Sequence, residues 1–341
     1  MGGHASDDFG SGKALVEDTA MTALVSTLGP LQRQPASSAD LASRIVRWQA
    51  LKEAGVDQIA SEDVVDLGGP GCGAAASALR EAADLGLPIR PTVLSPISTQ
   101  IAAGRSDMSD AMARARATLS QLAAAGASWV QINEPCLASQ LDTRAKDDLA
   151  RFYANLAEAG PALKLLLAAP PPAMQHNGAF ILTLPVSGVH FDCLAAPLQF
   201  ADLIIDAPPE LHLSLGLLGR NEAAPLVRQE KLEEQLELAA FQRGLADYAL
   251  RRTNPWPTDL GSAAGRIDQL AIAAGADRLI LAPAGVSAAM PLPIELQCIR
   301  ELRRLADALG TGRHSSTEPS LGRPRNVVPF APARAVPSHP L

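Results

Sequence analysis

The stretch AAAGASWVQI, residues 123–132, runs from an alanine-rich helix end through a glycine into an apolar segment. The same joint recurs as KEAGVDQI at 52–59 and AIAAGADRLIL at 271–281. Each reads as helix, stop, strand: glycine takes the left-handed backbone that ends a helix, and branched or aromatic residues then suit a pleated surface. A joint repeated along a chain marks a repeating supersecondary unit.

Outward from these joints, eight short apolar runs alternate with helical patterns. The runs are ALVSTL (23–28), DQIA (57–60), IRPTVL (89–94), WVQIN (129–133), LKLLLA (163–168), GVHFD (188–192), LSLGLL (213–218) and RLILA (278–282). Most are apolar on both faces, as parallel strands covered by helices should be. In 39–54, Leu41, Ile45, Trp48 and Lys52 form a one-sided stripe, with Ser38 placed to cap its start and Gly55 to end it. In 109–125, Met112, Leu119 and Leu122 repeat the pattern before Gly126. In 226–250, Leu232, Leu236 and Ala240 line one face of a third helix.

The expected fold class is α/β: a single (βα)8 TIM barrel over residues 22–310. Residues 1–21 are small and polar, and 311–341 form a Pro/Ser/Arg-rich tail; both are expected to be disordered. No G-x-G-x-x-G follows the first strand, which weighs against a dinucleotide fold. GGPGCG (68–73) lacks the Lys-Ser/Thr of a phosphate loop and reads as a flexible βα loop.

Composition narrows the function classes. The chain is 47% hydrophobic and 19% charged, as a globular protein should be. A net charge of −7 without a basic, aromatic-lined patch argues against nucleic acid as a partner. No apolar run approaches the ~20 residues needed to cross a bilayer. The opening MGGHASDDFGSGK has acids where a secretory leader has bases, so a cytoplasmic location is expected. Cys72, Cys136, Cys193 and Cys298 are widely spaced and read as buried thiols rather than a disulfide framework.

In such a barrel, chemistry sits at the C-terminal strand ends. That rule selects Ser61, Glu62, Asp63 and Asp66 after the second strand, and Asn133, Glu134 and Pro135 after the fourth. It adds His190 and Asp192 on the sixth, Gly219, Arg220 and Asn221 after the seventh, and residues 283–286 after the eighth. The ligand-binding candidates are Asn133, Glu134, His190, Asp192, Arg220 and Asn221, which would take a small anionic or zwitterionic ligand with Arg220 as anchor. No catalytic residue and no metal ligand is assigned. Each candidate also has a structural reading: Glu134 as a carboxylate bonded across the barrel mouth, His190 as a core histidine paired with Asp192, Arg220–Asn221 as a loop clamp. His190 and Cys193 lie three apart on a strand, point to opposite faces, and cannot chelate one ion.

Several of these segments carry a resemblance. WVQINEPCL (129–137) looks like the W-V-Q-I-D-E-P segment of the cobalamin-independent methionine synthases, and LPVSGVHFDCLAAP (184–197) like their L-P-V-x-G-L-H-x-D-x-x-x-x-P. LSLGLLGRN (213–221) resembles L-S-L-G-V-x-x-G-R-N, LAPAGVSAAMPLPIEL (281–296) resembles I-A-P-S-C-S-L-L-H-x-P-x-x-L, and STLGPLQRQ (26–34) echoes T-L-G-F-P-R. The matches run in order over residues 22–310 and resemble the N-terminal of that family's two barrels. The resemblance implies a methyltransferase setting, in which the second barrel binds zinc and activates homocysteine while the first helps to hold the folate's glutamate tail. Departures accompany it: Asn133 replaces an aspartate, Gly285 stands at the cysteine position, and only Arg33 remains of a basic opening stretch. The resemblance thus implies no zinc here, with zinc expected only in a separate catalytic barrel as partner. Three readings stay open: a partner-dependent enzyme half, a non-catalytic barrel that binds a small anion or folate-like ligand or serves as a scaffold, and a relative of the uroporphyrinogen decarboxylase-like barrels.

Overall fold

The structure is a computed structural model, and it describes residues 22–31, 41–69, 71–104, 108–159, 163–170, 172–193, 207–218, 275–284 and 291–310. The three repeated joints fold alike. Helix α1 (Leu41–Glu53) buries Trp48 and Leu51 and gives way at Gly55, φ 105°, before β2 (Ile59–Asp66). Helix α4 (Ser109–Ala124) buries Ala115, Leu119 and Leu122 and gives way at Gly126, φ 100°, before β4 (Trp129–Asn133). Gly275, φ 88°, precedes β8 (Leu279–Pro283). These backbone angles are ones that only glycine adopts cheaply.

The other elements in chain order are β1 (Leu24–Val25), α2 (Cys72–Asp84), β3 (Ile89–Leu94), α3 (Pro96–Ala102), α5 (Thr143–Ala159), β5 (Lys164–Ala168), α6 (Pro172–Ile181), β6 (Gly188–Asp192), β7 (His212–Leu218) and α7 (Leu292–Gly310). All strand pairs are parallel, in the order β1-β8-β7-β6-β5-β4-β3-β2. The two ends of that order meet through a Ser26–Gln58 bridge, with Thr27 N donating to Gln58 O at 3.1 Å and Gln58 N to Val25 O at 3.2 Å. The architecture is therefore the α/β barrel expected from the sequence.

One boundary differs. The second strand runs on to Asp66, so Ser61, Glu62, Asp63 and Asp66 lie on β2 rather than beyond it. The register against β3 breaks between Ala60 and Val64, and such a bulge hides strand periodicity. Ser61 spans the gap: its Oγ accepts from Thr92 N at 2.9 Å and its carbonyl from Thr92 Oγ1 at 3.1 Å. Another difference lies at GGPGCG, where Cys72 and Gly73 already belong to α2 rather than to a loop. The expected helix at 226–250, the cap Ser38, and the tails 1–21 and 311–341 lie outside the described residues.

Along each strand, alternate side chains face the helices or the barrel axis. Val130, Ile132, Leu165, Leu167, Val189, Phe191, Leu213, Leu215, Leu279 and Leu281 join the layer between sheet and helices, with Trp48, Leu79, Leu122 and Leu302. Inside, Trp129, Leu166 and Ile280 meet Leu24 as an apolar floor. Among the described residues no helix is long and apolar enough to cross a membrane.

Candidate functional site

Above this floor the inward positions include a set of polar residues. Arg90, Gln131, Asn133, His190 and Ser214 are all buried, and alternation aims them at the barrel axis. The loop that follows β1 dips among them. Arg90 Nη2 donates to Thr27 O at 2.7 Å and to Gln131 Oε1 at 3.3 Å, and Nη1 donates to Gln58 Oε1 at 3.1 Å. Gln131 Oε1 also accepts from Gly29 N at 3.1 Å, while Gln131 Nε2 donates to Asn133 Oδ1 at 2.8 Å and to Gly29 O at 3.3 Å. Asn133 Nδ2 donates to Pro30 O. Gly29 has no room for a side chain, since a Cβ would stand 2.2 Å from Thr92 Oγ1.

The sequence-expected residues take different parts in this arrangement. Asn133 is spent on Gln131 and on the backbone of Pro30. Glu134 turns away from the axis into the helix layer, where it accepts from Ser98 Oγ on α3 and from Tyr153 Oη on α5 at 2.9 Å. Burial pushes its carboxyl above the usual range, against the hydrogen bond from Ser98. His190 faces the axis, and its Nδ1 lies 2.9 Å from Ser214 Oγ on β7. The sequence offered Asp192 as its partner; the group found at Nδ1 is Ser214, its register neighbour on β7. Asp192 is half-buried at the end of β6 and has an interaction of its own. Arg220 and Asn221 lie outside the described residues.

Arg90 is the member that the sequence reading missed. Its signal is a charged residue inside the otherwise apolar run IRPTVL, where a parallel strand has no solvated face to offer it. Burial pulls its guanidinium down to about 9, so it stays charged at neutral pH. Among the described residues its Nε has no hydrogen-bond partner, and neither has His190 Nε2. Burial, then the Arg90 charge, pull the imidazole down to about 3, so it is neutral at neutral pH.

Zinc that activates a thiol needs three or four converging soft or imidazole ligands. Among the described residues no three His, Cys, Asp or Glu side chains gather to hold a metal ion. His190 points into the barrel, whereas Cys193 belongs to the helix-side layer. Cys136 lies 3.6 Å from Glu134 Oε1, and burial together with that carboxylate pushes its thiol so far up that it keeps its proton. These residues do not fit a zinc ion.

Eight parallel strands around a polar interior define an α/β barrel with a candidate small-molecule site on its axis. Residues 73–237 match the family model described as "Cobalamin-independent synthase, N-terminal domain", and the chain is a relative of the N-terminal part of the cobalamin-independent methionine synthases. It is 30% identical over 262 residues to the 5-methyltetrahydropteroyltriglutamate–homocysteine methyltransferase of Nitrobacter winogradskyi, covering 69% of this chain and 30% of that one. With the protein of the same name from Bradyrhizobium diazoefficiens it shares 36% over 151 residues, covering 41% of this chain and 19% of the other. The match thus spans less than a third of these relatives' own length. The structure of a B12-independent methionine synthase from Shewanella sp., in complex with selenomethionine, has the same fold at a TM-score of 0.51 and 11% identity, covering 85% of this chain and 98% of that one.

Proposed function

We propose that this chain is a methionine-synthase-type barrel that binds a small anionic or zwitterionic ligand and carries no thiol-activating zinc of its own. The observation that carries this reading is a polar interior, centred on Arg90 and His190; in keeping with it, no three metal-ligating side chains gather among the described residues. The relatives are named for methyl transfer between a folate triglutamate and homocysteine. In that setting the barrel is a non-catalytic or partner-dependent cytoplasmic half, and a separate zinc-binding barrel activates the thiol. The triglutamate tail is a chain of carboxylates, which suits the expected anchor Arg220 beside Asn221.

Metal analysis after dialysis, with calorimetry against homocysteine and 5-methyltetrahydropteroyltriglutamate, tests this reading. Zinc should be substoichiometric, the folate should bind, and Arg220→Ala should weaken that binding by roughly 2 kcal/mol, the scale of a charge-assisted hydrogen bond. One zinc per chain surviving dialysis, together with methyl transfer by the chain alone, would sink it.

A further inference from the structure

We propose that Arg90 and His190 form an oxyanion subsite on the barrel axis, which takes the carboxylate or phosphate group of a small ligand. It rests on the reading of this barrel as an anion-binding module and gives that module an anchor independent of Arg220.

The first observation is an uncompensated charge. Arg90 is 1% exposed, and the acceptors it meets are all neutral: Gln58 Oε1, Thr27 O and Gln131 Oε1. Among the described residues it forms no ion pair, and its Nε–H is unspent. A buried cation costs several kcal/mol unless an opposite charge meets it, so buried arginines are usually paired with carboxylates. An arriving anion would supply the missing charge.

The second observation comes from another strand. His190 is 2% exposed, and its Nδ1 is occupied by Ser214 while Nε2 has no partner among the described residues. A serine hydroxyl can donate or accept here; the subsite takes the tautomer in which Ser214 Oγ donates to Nδ1, so that the imidazole proton sits on Nε2 and offers a second N–H. Both side chains project from inward positions of the same closed sheet, Arg90 on β3 and His190 on β6. A buried N–H left without an acceptor costs about 1–3 kcal/mol, a further gain for any ligand that brings an oxygen.

The third is the shape of the facing wall. The inward positions of β5, β7 and β8 toward their C-terminal ends are Ala168, Ser214, Gly216 and Ala282. A Cβ at Gly216 would stand 3.4 Å from His190 Cε1 and 3.1 Å from Ala284 Cα. Small residues thus flank His190 on β5 and β7, and those of β7 and β8 lie across the barrel from Arg90 on β3. A cationic ligand would be repelled by Arg90, and a neutral one would leave its charge uncompensated. A small oxyanion satisfies both N–H groups and the charge.

The test uses the full chain labelled with 15N and titrated at constant chloride with acetate, glutamate and inorganic phosphate. The Arg90 Nε and His190 Nε2 resonances should shift together and saturably with at least one probe, and the probe that acts decides between carboxylate and phosphate. In calorimetry with that probe, Arg90→Met should weaken binding at least tenfold and His190→Gln by less. Gly216→Leu should block binding while leaving the charges unchanged. If Arg90→Met does not fold, the titration of the unmodified chain still decides. Absence of a saturable shift at either resonance with all three probes overturns the subsite. Loss of binding in Arg220→Ala with full retention in Arg90→Met also overturns it, while leaving the anion-binding module intact.

Discussion

His190 couples the interior to pH. Its folded value of about 3 lies below the ordinary histidine value of roughly 6.5. Above about pH 6.5 the imidazole is neutral in both states and its effect on stability is nil. Between those values the unfolded chain takes up a proton that the folded chain refuses, so stability is lost as pH falls. One such group gives a slope of up to about 1.4 kcal/mol per pH unit. Urea unfolding between pH 7 and pH 4 should show this slope in the native chain and about one proton less of it in His190→Gln; equal slopes would refute the assignment. The sequence carried part of this site. The strand-end rule found Asn133 and His190, both of which the structure places among the buried inward polar residues. That rule could not tell that Glu134, one residue on, faces the other way, toward Ser98 and Tyr153 on two helices distant in sequence. Nor could it weigh Arg90, which lies near the start of its strand and reaches the axis by its length.

At the scale of elements, α1 and α7 lie near the seam where β1 meets β2, and one arginine links them to β2. Arg47 on α1 pairs with Glu62 on β2 at 2.8 Å and with Glu295 on α7, whose side chain is fully buried. Arg44, one turn earlier, pairs with Asp63, which is 39% exposed. The two pairs should differ in weight. Removing the partner of a buried carboxylate costs about 3–5 kcal/mol, whereas a solvated pair contributes up to about 1 kcal/mol. Arg47→Met should therefore lower unfolding stability by a few kcal/mol in urea titrations and Arg44→Met by less than about 1; equal losses would mean that Glu295 draws its support elsewhere. The elements were largely legible because their signals are local: a stripe, a glycine stop, a two-sided apolar run. The β2 bulge was not, because three residues out of register look like the start of a loop, and only pairing with β3 reveals that the strand resumes at Val64.

At the scale of the whole molecule, eight apolar runs and three repeated joints were enough to read a barrel, because parallel strands buried on both faces leave few other arrangements. What the sequence could not carry was the closure, which rests on contacts between its extremes. Leu24 and Val25 pair with Ile280 and Leu281, and Ser26 bridges to Gln58. The first strand is two residues long and finds its sheet neighbour in the last. During synthesis that neighbour emerges only after all the other strands have been made. Until then the strand neighbour of β1 is β2, reached through the Ser26–Gln58 bridge and the hydrogen bonds of Val25 with Asp57 and Gln58. Loop-closure entropy makes so distant a pairing slow to form, and its formation belongs to the descending side of the folding barrier. Val25→Ala, which trims a fully buried residue of β1, should accordingly speed unfolding while leaving the folding rate almost unchanged in stopped-flow experiments. A folding rate that falls in proportion to the lost stability would place β1 in the nucleus instead. The strand that comes first in the chain would then be the last to join the barrel, and the loop it carries, Thr27 to Pro30, would reach Arg90, Gln131 and Asn133 only once the rest of the wall stood.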